Sequence, residues 1–152
     1  LDQSGSNTQI DAFIAAVERL LPGFLADPID MAMQDGNCSV MIIEENGRIY
    51  GRMFGTDHVK QRGTCRIAWQ KCTQVWMTGI ATGRFEELVF GKQLDPHPFG
   101  IPHPDFIGWP GGLPGRLADG TKLALAFSGM RGENDCEILR RAAAQVPGMS
   151  VE

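Results

Sequence analysis

Three groups of residues in this sequence carry side chains or backbone able to bind or react. Glu44, Tyr50, Arg52 and Phe54 fall on two short runs joined by Asn46-Gly47, the turn pair of a hairpin. Alternation puts Tyr50, the only tyrosine, and Arg52 on one face of the return strand. With Glu44 or Glu45 across the hairpin they make either an acid/base cluster or a cross-strand salt bridge on a solvated face. The second group is Gly111, Gly112, Ser128 and Gly129, loop and turn positions whose backbone NH groups can cradle a carboxylate. Glu133 and Asp135 follow at the start of a helix and oppose that anion unless they turn away as caps. Neither GxxxxGK[ST] nor strand-GxGxxG is present, which excludes the P-loop and dinucleotide patterns. The third group lies in a proline-rich stretch, where His97 and His103 sit near Asp95 and Asp105, with Phe106 and Trp109 beyond. Imidazoles there can ligate a metal or haem iron. Irregular backbone without H-x-H or H-x-x-x-H spacing does not put the two rings on one face, so no metal site is expected. Lys71, a cation in an otherwise apolar helical pattern, reads either as an anion contact or as a snorkelling surface residue.

Regular elements must position these groups. Ile10, Phe13, Ile14, Val17, Leu20 and Leu21 follow helical spacing from about Thr8 until Pro22-Gly23, after a loose polar tail over residues 1–8. Ala26 to Gln34 reads as a second helix opened by Asp27-Pro28. Strands are expected at Cys38 to Glu44 and Arg48 to Phe54, an irregular polar segment at His58 to Thr64, and a long helix at Arg66 to Thr82. Trp69 and Trp76 share a face of that helix with Cys72 and can pack on the sheet or on a partner subunit. Phe85 to Phe90 reads as a short helical turn. Gly91 to Leu113 is too rich in proline for helix or interior strand, and so long an irregular segment suggests a binding loop or lid. Leu123 to Phe127 is a short buried strand, and the Ser128-Gly129 turn leads into an amphipathic helix with Ile138, Leu139 and Ala142 on one face.

At 152 residues and 43% hydrophobic content the chain suits one domain, over residues 9–152, with the proline-rich loop at 91–113. A net charge of -4 with no basic run argues against nucleic acid as a partner. No apolar run approaches a bilayer span, and Leu1 to Gln9 lacks the pattern of a secretory signal, so a cytoplasmic protein without membrane contact is expected. Cys38, Cys65, Cys72 and Cys136 have no C-x-x-C spacing and read as buried free thiols rather than a disulfide pair.

Gly111-Gly112-Leu113-Pro114 followed by a strand, Ser128-Gly129 and Asp135 resembles the closing unit of the GlcG/HbpS-like family. Ile43 to Ile49 is similar to that family's strand, acid and glycine turn, and Ile67-Ala68-Trp69-Gln70-Lys71-Cys72 to its IAxxKA helix. The resemblance spans roughly residues 31–146. It implies an α/β (α+β) domain of profilin-like architecture, a central antiparallel sheet flanked by helices, assembled as a homo-oligomer. It also implies a small-molecule ligand, planar and carboxylate-bearing, with haem or an aromatic acid as candidates and no cofactor certain. Arg52, Phe54, Lys71, Phe106, Trp109, Gly111, Gly112, Ser128 and Gly129 are the expected ligand contacts. Phe54 stands where many relatives carry an acid before glycine, which suggests a more apolar pocket. Leu94 to Pro110 looks like an insertion relative to the family pattern. The alternative is a cofactor-independent lyase of aromatic catabolism, acting on a substituted benzoate such as a hydroxylamino-benzoate. Its acid would come from Glu44, Tyr50 or His103, its carboxylate-holding cation from Arg52 or Lys71, and its apolar slot from Phe54, Phe106 and Trp109.

Overall fold

In the computed structural model, which describes residues 3–102 and 105–152, five antiparallel strands form one sheet in the order β2-β1-β4-β3-β5. The strands are β1 (Cys38–Glu44), β2 (Ile49–Phe54), β3 (Gly112–Arg116), β4 (Lys122–Ser128) and β5 (Ser150–Val151). Alternation assigns the two faces. Val40, Ile42, Leu123, Leu125 and Phe127 point to one side and pack with Ile10, Phe13 and Val17 of α1 (Gln3–Leu25) and Ile138, Leu139 and Ala142 of α5 (Gly132–Ala144). Each of the valine, leucine, isoleucine and phenylalanine side chains among them, removed from water, stabilises the fold by about 1.5–3 kcal/mol. Met41, Ile43, Ala124 and Ala126 point to the other side, where α3 (His58–Thr78) lies on them through Ala68, Cys72 and Val75. The alanines let the helix approach closely, and the Cys72 thiol donates to the carbonyls of Met41 at 3.6 Å and Ala124 at 3.4 Å. Cys38, Cys72 and Cys136 are buried thiols and Cys65 is half-buried; none is in a disulfide. The result is an α+β fold with a central sheet flanked by helices.

Several boundaries differ from the sequence expectation. Helix α1 already runs from Gln3, so residues 3–8 are helix rather than a loose tail, and it continues through Pro22 and Gly23. The segment from His58 to Thr64 is helix, not irregular: Asp57 caps it by accepting from the backbone NH groups of Val59 and Lys60. Helix α3 then stops at Thr78, because Gly79 takes the left-handed conformation that ends it, and α4 (Thr82–Phe90) starts afresh. The hairpin is present, but only Gly47 has positive φ, at 88°, while Asn46 does not. The Gly47 NH returns to the Glu44 carbonyl at 2.8 Å, so the connection is a turn closed by a left-handed glycine rather than one with positive φ at both central residues. The glycine-rich loop at Gly112 to Pro114 is in fact strand β3, held between β4 and β5. Among the described residues from Gly91 to Gly111 the backbone is irregular apart from one 3-10 turn at His97–Phe99. Helix α2 (Pro28–Gln34) forms as expected, capped by the Asp27 carboxylate. Among the described residues no helix is long and apolar enough to cross a membrane.

Candidate functional site

Helix α3 runs alongside β1, from Thr64 beside Ser39 (3.0 Å between hydroxyls) to Trp76, whose Nε1–H donates to the Glu44 carbonyl at 2.9 Å. At the end of the sheet where β1 begins and β4 ends, this helix leaves a cleft of about 720 Å³. Its walls are Met33 and Gln34 of α2, Val59 to Lys71 of α3, Trp109-Pro110 of the proline-rich segment, and Ser128 to Gly132 with Asp135 at the entry to α5. Apolar surface predominates in the lining, and polar groups converge at the base, the usual composition of a small-molecule site.

At the base, Lys71 donates to Asp135 Oδ2 at 3.0 Å and to the Phe127 carbonyl at 2.9 Å, with both side chains under 5% exposed. Asp135 also accepts from the Met130 NH at 3.0 Å, which closes the turn into α5. Burial pushes the Asp135 carboxyl up to about 7, and the Lys71 ammonium opposes that rise without cancelling it. Close approach explains the nearby glycines, and the pair itself explains Gly111. Gly111 has φ of 119°, and a Cβ there would lie 2.7 Å from both Lys71 Nζ and the Phe127 carbonyl oxygen. A Cβ on Gly112 would strike Thr82 at 2.7 Å, and one on Gly129 would strike Cys38 Sγ at 2.6 Å. Gly111 and Gly112 are buried, and neither lines the cleft; they serve close approach within the chain.

Two side chains that sequence reasoning passed over hold the proline-rich segment in place. Gln74, buried on α3, donates from Nε2 to the Ile107 carbonyl and accepts the Ile107 NH, both at 2.8 Å. Thr82 donates to the Trp109 carbonyl at 2.7 Å and accepts the Gly112 NH at 3.2 Å. Together they fix Trp109 at the cleft with its indole 64% exposed. The one available signal for Gln74 was a long amide inside a helix pattern otherwise apolar on its inner side. The opposite wall is set by Asp30, which is fully buried and binds the Arg131 NH, the Arg131 guanidinium and the Asn134 amide at 2.6–3.0 Å. The Arg131 side chain holds the Asp30 carboxyl below its usual range, and this network docks α2 on the β4–α5 turn.

Of the expected contacts, Lys71, Trp109, Ser128 and Gly129 therefore come together in one cleft. Glu44, Tyr50, Arg52 and Phe54 do not join them, because their strand parity points them to the α1 side of the sheet. There the Tyr50 hydroxyl donates to Asn7 Oδ1 at 2.7 Å and Glu44 Oε1 at 3.2 Å. Arg52 pairs with Glu18 of α1 at 2.5 Å and lies over the Phe54 ring, 5.4 Å from its centroid. Phe106 is nearly buried in an edge-on aromatic cluster with Phe85 and Phe90, at 5.6 and 5.9 Å between centroids. His97 is exposed and bound to Asp95 at 2.8 Å, and His103 lies outside the described residues. Among the described residues no group of three or more His, Cys, Asp or Glu side chains is arranged to hold a metal ion.

No family model matches the chain, and no curated protein matches it in sequence. Solved structures do match in fold. HbpS superimposes with a TM-score of 0.57 at 20% identity, over 88% of this chain and 86% of its own. The haem complex of PduOC superimposes with a TM-score of 0.63 at 15% identity, over 97% of this chain and 95% of its own. With the strand order and helix placement described above, the chain has a GlcG/HbpS-like fold.

Proposed function

We propose that this protein binds a planar, carboxylate-bearing small molecule in the cleft between α3, Trp109 and the Ser128–Met130 turn. The observation that carries this reading is the cleft itself. Its walls are Met33, Val59, Ile67, Trp109, Pro110 and Met130, apolar and wide enough for a ring system, while Arg66 supplies positive charge, and Lys60 and the buried Lys71–Asp135 pair supply polar groups. An aromatic acid and haem both satisfy that description. PduOC, which shares the fold, was solved with haem, and this supports haem as one candidate. The volume suits it, and Met33, half-exposed at the cleft, brings a thioether of the kind that ligates haem iron. Haem held there would supply a redox-active iron; the chain's own part would be to seat the ring and neutralise a propionate through Arg66. The test is titration of the purified protein with haemin, read at the Soret band, beside a panel of benzoates read by backbone amide shifts. A stoichiometric, saturable response at the cleft residues is expected from one of the two classes. No response from either removes the reading.

A second reading is favoured by Asp135. A carboxyl half-protonated near neutrality beside an apolar slot can act as a general acid, as a lyase on a substituted benzoate such as a hydroxylamino-benzoate requires to expel a hydroxyl as water. Turnover of such a benzoate without added cofactor, lost in Asp135→Asn, would distinguish it from simple binding. Self-association accompanies either reading: the indoles of Trp69 and Trp76 are about half exposed on α3, and Trp69 lines a groove with Met53 of the edge strand β2.

A further inference from the structure

Gly63 stands in the second turn of α3, where glycine weakens a helix relative to alanine. Nothing inside the chain asks for it. Its φ is not positive, and a Cβ built there meets no atom within 4 Å. The other glycines around the cleft behave differently: Gly111, Gly129 and Gly132 each bring a built Cβ to 3.0 Å or less from another atom of the chain. Gly63 lines the cleft, with Val59 one turn before it and Ile67 one turn after it on the same strip of helix. The bare strip therefore opens onto the space assigned above to the ligand.

Three cations line that space, and two are already engaged. Lys60 is paired with Asp35. Lys71 is buried between Asp135 and the Phe127 carbonyl. Arg66 is exposed, three residues after Gly63, and has no ion pair or side-chain hydrogen bond among the described residues. We infer that Gly63 is bare so that the ligand's ring lies directly on α3 between Val59 and Ile67, and that Arg66 takes its carboxylate. Guanidinium and carboxylate match as a two-pronged pair, which lysine does not reproduce. This rests on the ligand-binding reading above and adds the seat and the anchor.

The experiment uses two matched probe pairs, benzoate with benzamide and haemin with its dimethyl ester, on the full chain. Amide shifts are the readout for the first pair and Soret absorbance for the second. Gly63→Leu introduces a good helix former, so the denaturation midpoint is expected at or above that of the parent, while affinity for both members of the responding pair falls at least tenfold. Arg66→Gln is expected to weaken the carboxylate member at least tenfold and to leave the neutral member within twofold. Unchanged affinities in Gly63→Leu, or equal losses of the two members in Arg66→Gln, overturn the assignment while the parent's binding still stands. A change of oligomeric state in Gly63→Leu with intact binding also overturns it, since the strip would then seat another copy of the chain. A parent that binds neither pair overturns both the assignment and the reading beneath it.

Discussion

Asp135 makes the stability of this protein fall as pH rises through the weakly acidic range. Its carboxyl has a folded-state pKa of about 7, raised from 3.8 chiefly by burial. Between those values the folded state holds a proton that the unfolded state has released, so unfolding is favoured as protons are withdrawn. The stabilisation is fully present below about 4 and is lost as pH passes through about 7. Three units of difference at 1.36 kcal/mol each amount to about 4 kcal/mol. About 3 kcal/mol of this falls between pH 4.5 and 7.5, and a urea dependence of about 2 kcal/mol per molar turns it into a midpoint lower by about 1.5 M at pH 7.5 than at pH 4.5. Asp30 has the opposite sign. Held low by the Arg131 side chain, it contributes stability that is lost only as pH falls below about 4, outside this window. Urea unfolding at pH 4.5, 5.5, 6.5 and 7.5 measures the slope, and Asp135→Asn, which cannot titrate, should flatten it. A parent midpoint that stays level or rises with pH, or a slope that survives in Asp135→Asn, would refute the argument that burial outweighs Lys71 at this carboxyl.

The partner residue gives the converse result: Lys71→Met should cost about 3–5 kcal/mol at pH 8, where Asp135 must either stay charged without its cation or take up a proton from solvent, and clearly less at pH 5, where it is already protonated, as denaturation at the two pH values will show. Gly111→Ala forces a Cβ against Lys71 Nζ and the Phe127 carbonyl at a backbone angle that alanine resists, so a loss of at least about 2 kcal/mol is expected in the same assay. Gly47→Val should lose roughly 1 kcal/mol through conformation alone, since open space surrounds that position; an unchanged midpoint would contradict the left-handed turn. Sedimentation at micromolar concentration should reveal a closed homo-oligomer that Trp69→Glu weakens, and a strict monomer over the accessible range removes self-association through α3.

The order of elements and the inward faces of β1, β4, α1 and α5 could be read from the sequence, because burial imposes its periodicity directly: Val40 and Ile42 alternate, while Ile138, Leu139 and Ala142 recur at helical spacing. The glycine and Lys71 motifs were legible too, but not their purpose. Gly111 fits against the Lys71–Asp135 pair, a contact between residues 64 positions apart that no local pattern encodes, while Gly112 and Gly129 make room for Thr82 and Cys38. Strand parity was read correctly for Tyr50 and Arg52, yet only the stacking of α1 against that face decided that they meet Asn7 and Glu18 instead of the cleft. The polar run from His58 to Thr64 concealed a helix because its cap, Asp57, and its packing against β1 outweigh weak local propensity. Asp57, Gln74 and Thr82 show the same limit: which backbone NH or carbonyl a polar side chain will satisfy depends on what the fold brings within 3 Å of it. Sequence determined which residues must be inside; tertiary structure decided which polar groups they enclose, and so where the cleft lies.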